Sequence, residues 1–395
     1  MNCSLEIDMN YNEESLKLHE SKKGKLEIKS KVKLKNKDDL SLAYTPGVAE
    51  PCRKIFENED LVFKYTIKSN SIAVVSDGSA VLGLGNIGAK ASIPVMEGKC
   101  ILFKEFAGLD AFPICLDTQD PDEIINIVKN IAPVFGGINL EDIKAPNCFY
   151  IEEKLKEILD IPVMHDDQHG TAIVVAAALI NSLKLKQTSF SDIEIVISGA
   201  GAAATAIVKL LRSIEFEEKF GKIKDIVLVD SKGIISKDRD DLNESKKDIL
   251  KITNKSNISG DMVIAIKDKD VFIGVSKGDI VNQNMIQSMK KDSIVFPMAN
   301  PIPEIMPDKA LEAGALIVGT GRSDFPNQIN NVLAFPGIFK GALSVRAKQI
   351  TTKMKVNAAI ALANSVKDLS KENILPSPLD KSIVDEIAKS VQNSI

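Results

Sequence analysis

The sequence has few of the residues that mark several protein classes. It has no tryptophan, only three histidines, and five cysteines, namely Cys3, Cys52, Cys100, Cys115 and Cys148. An odd number of cysteines with no Cys-x-x-Cys pair argues against both a disulfide framework and a zinc site. We therefore expect the cysteines to be reduced thiols.

Long apolar runs and an excess of charge of one sign are also missing. The longest apolar run, Ala172 to Ile180, is far shorter than the ~20 residues of a membrane-spanning helix. The 50 basic and 54 acidic residues give a net charge of -4, which creates no general attraction for nucleic acid or an anionic membrane. Glu6 and Asp8 lie where a signal peptide would be basic. These features predict a cytoplasmic protein whose partners are small molecules, with no nucleic acid and no membrane.

A chain of 395 residues exceeds the size at which one hydrophobic core normally stops growing, so two domains are expected. We place the first domain at residues 1–160. Leu26 to Leu34 alternates apolar residues with lysines, which is typical of half-buried strands rather than a nucleic-acid surface. Further strands are predicted at Tyr65 to Ser76 and Ile101 to Phe106, and helices at Asp122 to Asn130 and Pro146 to Leu159.

The pattern changes in residues 161–395, the predicted second domain. An apolar helix, Gly170 to Leu185, is followed by short apolar runs separated by segments of helical length. Such runs are typical of strands buried on both faces, and their alternation with helices predicts a doubly wound parallel sheet. The runs are Ile193 to Ser198, Ile226 to Val229, Val271 to Val275, Ile294 to Pro297 and Leu316 to Val318. Further helices are expected in Gly337 to Ile395.

Two glycine-rich segments have the spacing of dinucleotide-binding turns. Gly83 to Gly88 does not follow its strand directly, and Pro94 is expected to interrupt the helix after it, so we interpret it as a turn of the first domain. Gly199 to Ala204 comes directly off a predicted strand and opens a helix, as phosphate binding at a helix N-terminus requires.

The second segment therefore predicts the cofactor site. Its backbone, from Gly199, Ala200 and Gly201 into Ala202 and Ala203, would approach the pyrophosphate. Asp230 ends the next strand and would accept hydrogen bonds from the adenosine ribose. This favours NAD, but Lys232 could compensate a 2'-phosphate, so NADP is the alternative. A glycine turn in an ordinary α/β sheet is the competing interpretation.

Two acidic pairs are candidates for chemistry. Glu141 and Asp142 would alone be the solvated start of a helix. Asp166 and Asp167 follow an apolar strand, at the edge where α/β proteins bind ligands, and on an extended backbone they would point to opposite sides. Carboxylates without cysteine or a histidine cluster suit Mg²⁺ or Mn²⁺.

Together these segments resemble the short bacterial malic enzymes over almost the whole chain. The resemblance is carried, in this order, by Ser41 to Pro51, Ser76 to Gly78, Gly83 to Gly88, Glu97 to Lys99, Phe103 to Thr118, Asn139 to Asp142, His165 to Thr171 and Pro326 to Val332. It implies an N-terminal α/β domain for substrate and metal, followed by a Rossmann-like NAD(P)-binding domain. The implied reaction is the metal-dependent oxidative decarboxylation of L-malate to pyruvate, with decarboxylation of oxaloacetate as a partial activity.

The resemblance also implies roles for single residues. Tyr44 corresponds to the catalytic acid and Lys99 to the base that contacts substrate, with Asp166 beside it. Glu141, Asp142 and Asp167 correspond to the metal ligands. Asn300 and Asn331 correspond to positions that hold the substrate, Asn300 next to the cofactor. Lys99 could accept a proton only if its pKa, ordinarily near 10.4, were depressed, which we expect a dication and burial to do.

Two points depart from this assignment or compete with it. Ser79 stands where larger members of the family carry an arginine that clamps a substrate carboxylate, so Asn331 or a second subunit of an expected homodimer would have to replace it. A dehydrogenase for another 2-hydroxy acid, an oxaloacetate decarboxylase and a non-catalytic nicotinamide sensor are the competing functions.

Overall fold

Two parallel β-sheets organise the chain in the computed structural model, which describes residues 10–217 and 220–395. Cys3 and the acidic residues Glu6 and Asp8 lie outside the described residues. The first sheet has the spatial order β2-β1-β3-β4, all parallel. Its strands are β1 (Ser71–Ser76), β2 (Asp110–Cys115), β3 (Gly137–Leu140) and β4 (Val163–His165). β1 and β3 are buried throughout, as expected for parallel strands covered by helices.

The second sheet has the spatial order β10-β9-β8-β5-β6-β7, and its strands are parallel except for β7. Counted from β5, this is the order 3-2-1-4-5-6 of Rossmann folds, in which ligands bind where the order reverses. The strands are β5 (Glu194–Ser198), β6 (Asp225–Asp230), β7 (Gly233–Ile234), β8 (Val271–Gly274), β9 (Ile294–Pro297) and β10 (Ile317–Val318). The two-domain α/β class predicted from the sequence is confirmed.

The helices fall into groups around the two sheets. Those up to β4 are α1 (Tyr11–Lys22), α2 (Lys37–Ala43), α3 (Ala49–Glu57), α4 (Val62–Tyr65), α5 (Gly88–Leu102), α6 (Pro121–Ile131) and α7 (Asn147–Ile158). The others are α8 (Asp166–Lys186), α9 (Ala202–Ile214), α10 (Glu244–Leu250), α11 (Met262–Ile266), α12 (Gln283–Gln287), α13 (Pro307–Glu312), α14 (Phe335–Ser344), α15 (Thr352–Asn364) and α16 (Ser382–Gln392).

Helix α8 runs through the core between the two sheets. Residues 172–183 of α8 are buried, and the helix packs against α9 and α15. The predicted helix Gly170 to Leu185 is therefore confirmed and begins four residues earlier. Among the residues described, no helix is both long and apolar enough to span a membrane.

The predicted half-buried strands at Leu26 to Leu34 are wrong. This segment is irregular, and its apolar residues are exposed, with Ile28 at 91% and Val32 at 60%. A strand needs a neighbour for its backbone hydrogen bonds, and no strand of the described residues pairs with Leu26 to Leu34. Lys25 instead ties the segment to α5, through its backbone N–H to Glu97 Oε2 at 3.0 Å.

The predicted strand at Ile101 to Phe106 is also wrong. α5 runs through Pro94, which does not interrupt it as expected, continues to Leu102 and ends in a wider helical turn, Phe103–Ala107. Phe103 is fully buried against the rings of Phe335 and Phe339, at centroid distances of 4.7 and 5.4 Å. Tertiary packing therefore overrides the local β preference of this apolar run.

The remaining predictions agree with the structure to within a few residues. Helices α6 and α7, the five parallel strands of the second sheet, and helices in the C-terminal segment are confirmed. Only the second half of Tyr65 to Ser76 is a strand, because residues 62–70 form short helical turns. The hairpin strand β7 was not predicted, since its two residues carry no periodicity. The domain boundary at 160/161 stays a prediction.

Candidate active site

Two acidic segments meet at one edge of the first sheet. β3 and β4 are parallel neighbours, so their carboxyl ends lie side by side. Glu141 and Asp142 follow β3, while Asp166 and Asp167 open α8 directly after β4. Glu141 is 4% exposed, Asp142 5% and Asp166 0%. They are therefore not a solvated helix start.

Glu141, Asp142 and Asp167 form an acidic group that can hold a cation. One carboxylate oxygen from each lies within 4.8 Å of the other two. Asp142 has a left-handed backbone, with φ of 53°, and its N–H donates to Asp167 Oδ2 at 2.8 Å. Three oxygen donors without a sulfur ligand fit Mg²⁺ or Mn²⁺ with further oxygens from water or substrate.

The backbone of Asp166 and Asp167 differs from the prediction. They lie in the first turn of α8 rather than on an extended strand. Consecutive residues of a helix are still rotated by about 100°, so the two carboxylates separate. Asp167 joins the acidic group, whereas Asp166 Oδ2 lies 2.6 Å from Lys99 Nζ.

Lys99 lies beside the acidic group at the end of α5. Its Nζ is 2.6 Å from Asp166 Oδ2 and 2.9 Å from Glu141 Oε1, and the residue is only 6% exposed. The same Nζ lies 4.2 Å from the centroid of the Phe335 ring. The buried ammonium group of Lys99 thus bridges Glu141, which follows β3, and Asp166, which opens α8.

The protonation of these groups follows from their burial and their partners. Burial opposes the charged form of Lys99, but Asp166 and Glu141 outweigh it and raise its pKa above the ordinary value. Burial raises the pKa of Glu141 and of Asp166. Burial acts in the same direction on Asp167, but the close approach of His165 lowers the pKa of Asp167 overall. The expected depression of the Lys99 pKa is therefore not produced by the protein's own groups.

Three residues that contact the acids and Lys99 were not predicted from the sequence. Asn139 Nδ2 donates to Glu141 Oε2 at 2.8 Å, His165 Nε2 lies 3.2 Å from Asp167 Oδ2, and Phe335 covers Lys99. Asn139 and His165 stand within two residues of predicted ligands, so their position was an available signal. Phe335 had none, since it lies more than 200 residues from Lys99 in the chain.

The two asparagines predicted to hold the substrate, Asn331 and Asn300, lie in different parts of the site. The Cβ of Asn331 is adjacent to Gly170 on α8, where the Asp166 carboxylate also lies. The backbone oxygen of Asn300 faces Gly83, at the contact of the two domains. The Gly83 to Gly88 segment is a turn of the first domain, as predicted, with a 3-10 turn at Leu82–Leu84.

Tyr44 and Ser79 do not join the group within one chain. Tyr44 is 67% exposed, and within residues 10–217 and 220–395 its hydroxyl has no hydrogen-bond partner. Ser79 is buried and holds a turn: its Oγ donates to Asp77 Oδ1 at 2.5 Å and accepts from the N–H of Lys144 at 2.9 Å. Ser79 is thus occupied by structural contacts, and the replacement of the family's arginine by Asn331 or by a second subunit stays a prediction.

A cavity of about 860 Å³ lies at the carboxyl ends of β5, β6 and β8. Gly199, Ala200 and Gly201 line it, and Ala202 and Ala203 form the first turn of α9 directly after them. Gly199 has φ of 121°, and a Cβ on Gly201 would meet no atom within 4 Å. The backbone is thus open for a pyrophosphate at the positive end of α9, which fits a dinucleotide. Asn300 is not among the lining residues.

Asp230 lines the same cavity and is held by two cations. Arg239 donates to both of its oxygens, at 2.7 and 3.1 Å, and Lys246 Nζ lies 2.5 Å from Oδ2. Burial acts against the charge, but these hydrogen bonds lower the pKa of Asp230. The side chain of Lys232 instead pairs with Asp241 at 2.9 Å. Arg239 and Lys246 were not predicted from the sequence, because only the folding of the chain after β6 brings their side chains back to Asp230.

Comparison with known families agrees with this geometry in both halves of the chain. The model of the malic enzyme N-terminal domain matches residues 23–156, and that of the malic enzyme NAD binding domain matches residues 168–395. The chain belongs to the malic enzymes. Both sheets, with the acidic group on one and the dinucleotide cavity on the other, are therefore parts of the malic enzyme fold.

Individual malic enzymes are similar over most of their length. The bifunctional malic/malolactic enzyme of Bacillus subtilis is 56% identical over 97% of this chain and 92% of its own. The NAD-dependent malic enzyme of Geobacillus stearothermophilus is 51% identical over 93% of this chain and 76% of its own. The crystal structure of the Thermotoga maritima NAD-dependent malic enzyme has a TM-score of 0.91 at 47% identity, covering 96% of this chain and 98% of that one.

Proposed function

We propose that this chain oxidises and decarboxylates L-malate to pyruvate and CO₂ with reduction of NAD⁺, and that it also decarboxylates oxaloacetate. The observation that carries the proposal is Lys99, a buried amine bridging Asp166 and Glu141 beside a three-carboxylate group. Similar malic enzymes named for NAD or NADP dependence support the reaction. The proposed small-molecule substrate is therefore a 2-hydroxy dicarboxylate.

Glu141, Asp142 and Asp167 would hold Mg²⁺ or Mn²⁺. The bound ion would supply Lewis-acid chemistry, which stabilises the negative charge that develops on substrate oxygens. His165 and the backbone N–H of Asp142 orient Asp167, and Asn139 orients Glu141. These contacts fix the carboxylates before a cation arrives.

Lys99 Nζ is the atom that would take the proton from the C2 hydroxyl. In the chain alone, the carboxylates of Asp166 and Glu141 keep it protonated. Positive charge bound at the acidic group would offset those carboxylates, and so lower the pKa of Lys99 towards the working range of a general base. Asp166 keeps the amine in place and stays its ion-pair partner.

Gly199 to Ala203 would hold NAD⁺, whose nicotinamide would supply the hydride-accepting chemistry next to the substrate. Asp230 would accept hydrogen bonds from the adenosine ribose and repel a 2'-phosphate, which favours NAD⁺ over NADP⁺. Asn300 and Asn331 would hold the substrate where the two domains meet. Tyr44 would donate the proton to C3 of the enolate, a role that requires its exposed side chain to be brought to the site.

We propose that the chain works as a homodimer in the cytoplasm. The N-terminal segment carries large apolar side chains in water, with Ile28 91% exposed, Phe56 92% and Leu42 77%. Exposed apolar patches of this kind are typical of subunit interfaces. Sedimentation should show a species of twice 42.9 kDa, and Phe56→Ser should shift it towards the monomer. A single 42.9 kDa species of the unchanged protein would exclude the dimer. The cysteines of the described residues, Cys52, Cys100, Cys115 and Cys148, are free thiols, which suits a reducing compartment.

The reaction is tested by following reduced cofactor, pyruvate and lactate together, with L-malate, Mn²⁺ and either NAD⁺ or NADP⁺. We expect equal amounts of reduced cofactor and pyruvate, abolished by a chelator and by Lys99→Ala but not by Lys104→Ala, an exposed lysine of the next turn. Reduced cofactor without pyruvate would mean a dehydrogenase without decarboxylation. Lactate without reduced cofactor would mean a malolactic reaction, and no turnover would leave a nicotinamide sensor.

A further inference from the structure

A second cavity lies away from both sites described above. Its volume is about 500 Å³, it is open to solvent on one side, and it is lined by α7, the start of α8, α9, α10 and α15. It shares no lining residue with the dinucleotide cavity, and neither Lys99 nor the acidic group reaches it. The proposed reaction therefore does not use this cavity.

Three lysines from three different helices line this cavity. They are Lys156 on α7, Lys209 on α9 and Lys355 on α15. They are close enough to affect one another: burial lowers the pKa of Lys355 to about 8, the charges of Lys156 and Lys209 act in the same direction, and the charge of Glu152 opposes them. Bringing like charges together in a partly buried space costs free energy unless an anion offsets it.

Two of these lysines form no close ion pair with the carboxylates of the cavity. Glu152 is 5% exposed, lies 2.6 Å from Lys156 Nζ, and lies 3.0 Å from His169 Nε2. Within the described part of the chain, neither Lys209 nor Lys355 has a carboxylate oxygen within 4.0 Å. Lys355 Nζ instead contacts a ring nitrogen, His169 Nδ1, at 3.2 Å.

The other two acids that line the cavity do not change this balance. Asp248 is paired with Lys251 at 2.7 Å, in a contact where both side chains are more than half exposed. Glu153 is exposed to solvent at the edge of the cavity lining. Neither acid forms a close ion pair with Lys209 or Lys355, although the charge of Lys209 contributes to the lowered pKa of Asp248.

Neutral donors complete the lining. Thr205, Ser245 and Thr352 bring hydroxyl groups to the cavity. Thr352 is the first residue of α15, a helix of 13 residues, so the positive end of that helix adds to the lysine charges. Lysine ammonium groups act as point charges and are common phosphate binders, whereas carboxylate recognition favours the planar fork of arginine.

We propose that this cavity binds a small phosphorylated metabolite, with Lys209 and Lys355 contacting the phosphate oxygens and Lys156 as a third charge. The volume exceeds that of a phosphate ion alone, which leaves room for an organic part. Glu152 connects the site to the rest of the molecule, because it accepts a hydrogen bond from the backbone N–H of His165, next to Asp166. A ligand here is thus one contact away from the segment that carries the candidate catalytic acids.

The test is calorimetric titration of the full chain with inorganic phosphate and with pyrophosphate. Metal is left out, and NAD⁺ is kept saturating so that the dinucleotide cavity is filled. The variants are Lys209→Ala and Lys355→Met, and the matched control is Lys353→Ala, an exposed lysine of the same helix that does not line the cavity. We expect saturable pyrophosphate binding in the unchanged protein and in the control. Each cavity variant should bind about tenfold more weakly, as expected for one lost charge-assisted contact.

Two results would overturn the proposal. One is the absence of saturable binding of either anion to the unchanged protein. The other is equal weakening in Lys353→Ala and Lys209→Ala, which would mean general attraction to a basic surface. Thermal melts establish that the variants are folded. Lys209→Ala should have the same melting temperature as the unchanged protein, because Lys209 is exposed. The binding readout does not depend on turnover, so it is independent of the proposed reaction.

Discussion

Replacing Lys99 by methionine should destabilise the protein far more than the same change at an exposed lysine. Lys99 is 6% exposed and bridges two acids, Asp166 at 0% and Glu141 at 4% exposure. Methionine keeps the length and apolar stem of the side chain but removes the charge. Both carboxylates would then lie buried without their cation.

The magnitude follows from the burial of the pair. Removing one partner of a buried ion pair typically costs about 3–5 kcal/mol, because the remaining charge is uncompensated. Lys104 provides the comparison: its Nζ lies 2.7 Å from Asp110 Oδ1, but its side chain is 56% exposed. An exposed pair contributes less than about 1 kcal/mol. The two methionine variants should therefore differ by several kcal/mol although both lose an ion pair of similar length.

Urea unfolding followed by circular dichroism, with a chelator present, measures this difference. Mg²⁺ should stabilise Lys99→Met more than the unchanged protein, because the ion supplies the missing charge next to Glu141. The loss should also shrink at low pH. A carboxyl with a raised folded-state pKa, as burial gives Glu141 and Asp166, destabilises the fold as pH rises and ceases to do so below its unfolded pKa.

Equal losses of stability in Lys99→Met and Lys104→Met would contradict this prediction. That result would mean that the buried bridge contributes no more than a surface pair. A loss in Lys99→Met that does not change between pH 7 and pH 5 would contradict the assignment of the cost to uncompensated carboxylates.

Three further predictions concern the two cavities. Gly201→Ala should leave the melting temperature unchanged, since its Cβ meets no atom within 4 Å, but raise the KM for NAD⁺ about tenfold or more by blocking the pyrophosphate; an unchanged KM would contradict the site. Asp230→Ser should lower the ratio of kcat/KM with NAD⁺ to that with NADP⁺ by about tenfold or more, because Arg239 becomes free for a 2'-phosphate. A ratio that stays constant in steady-state kinetics with both cofactors would contradict this. Sulfate binding to the cavity of Lys355 should weaken as pH rises through about 8, where this lysine loses its proton, and calorimetry of Lys355→Met should show no such step.

Short-range patterns predicted the second domain well. The strands of its sheet are continuous apolar runs, and such runs are diagnostic because both faces of a parallel sheet are covered by helices. The placement of Gly199 directly after β5 also follows from local order, since the turn, the glycine and the helix start are neighbours in the chain. Secondary-structure elements whose residues are neighbours in the chain were therefore predicted correctly in this domain.

The first domain shows where local pattern is insufficient. Ile101 to Phe106 has the composition of a strand, but the helix α5 extends into it because Phe103 packs between two rings of α14. Leu26 to Leu34 alternates like a strand, but no described strand lies beside it to accept its hydrogen bonds. In both segments the deciding contact comes from a distant part of the chain.

The candidate site divides in the same way. The α/β class, the order of the two domains, and the acids that follow β3 and β4 could be predicted, because these depend on periodicity and on residues next to strand ends. The folded structure was needed to show that Lys99 is a buried, protonated bridge, that Arg239 and Lys246 hold Asp230, that Tyr44 is exposed in a single chain, and that three lysines line an unassigned cavity. The charge state and the partners of a side chain depend on burial and on long-range contacts, and neither is encoded in the neighbouring residues.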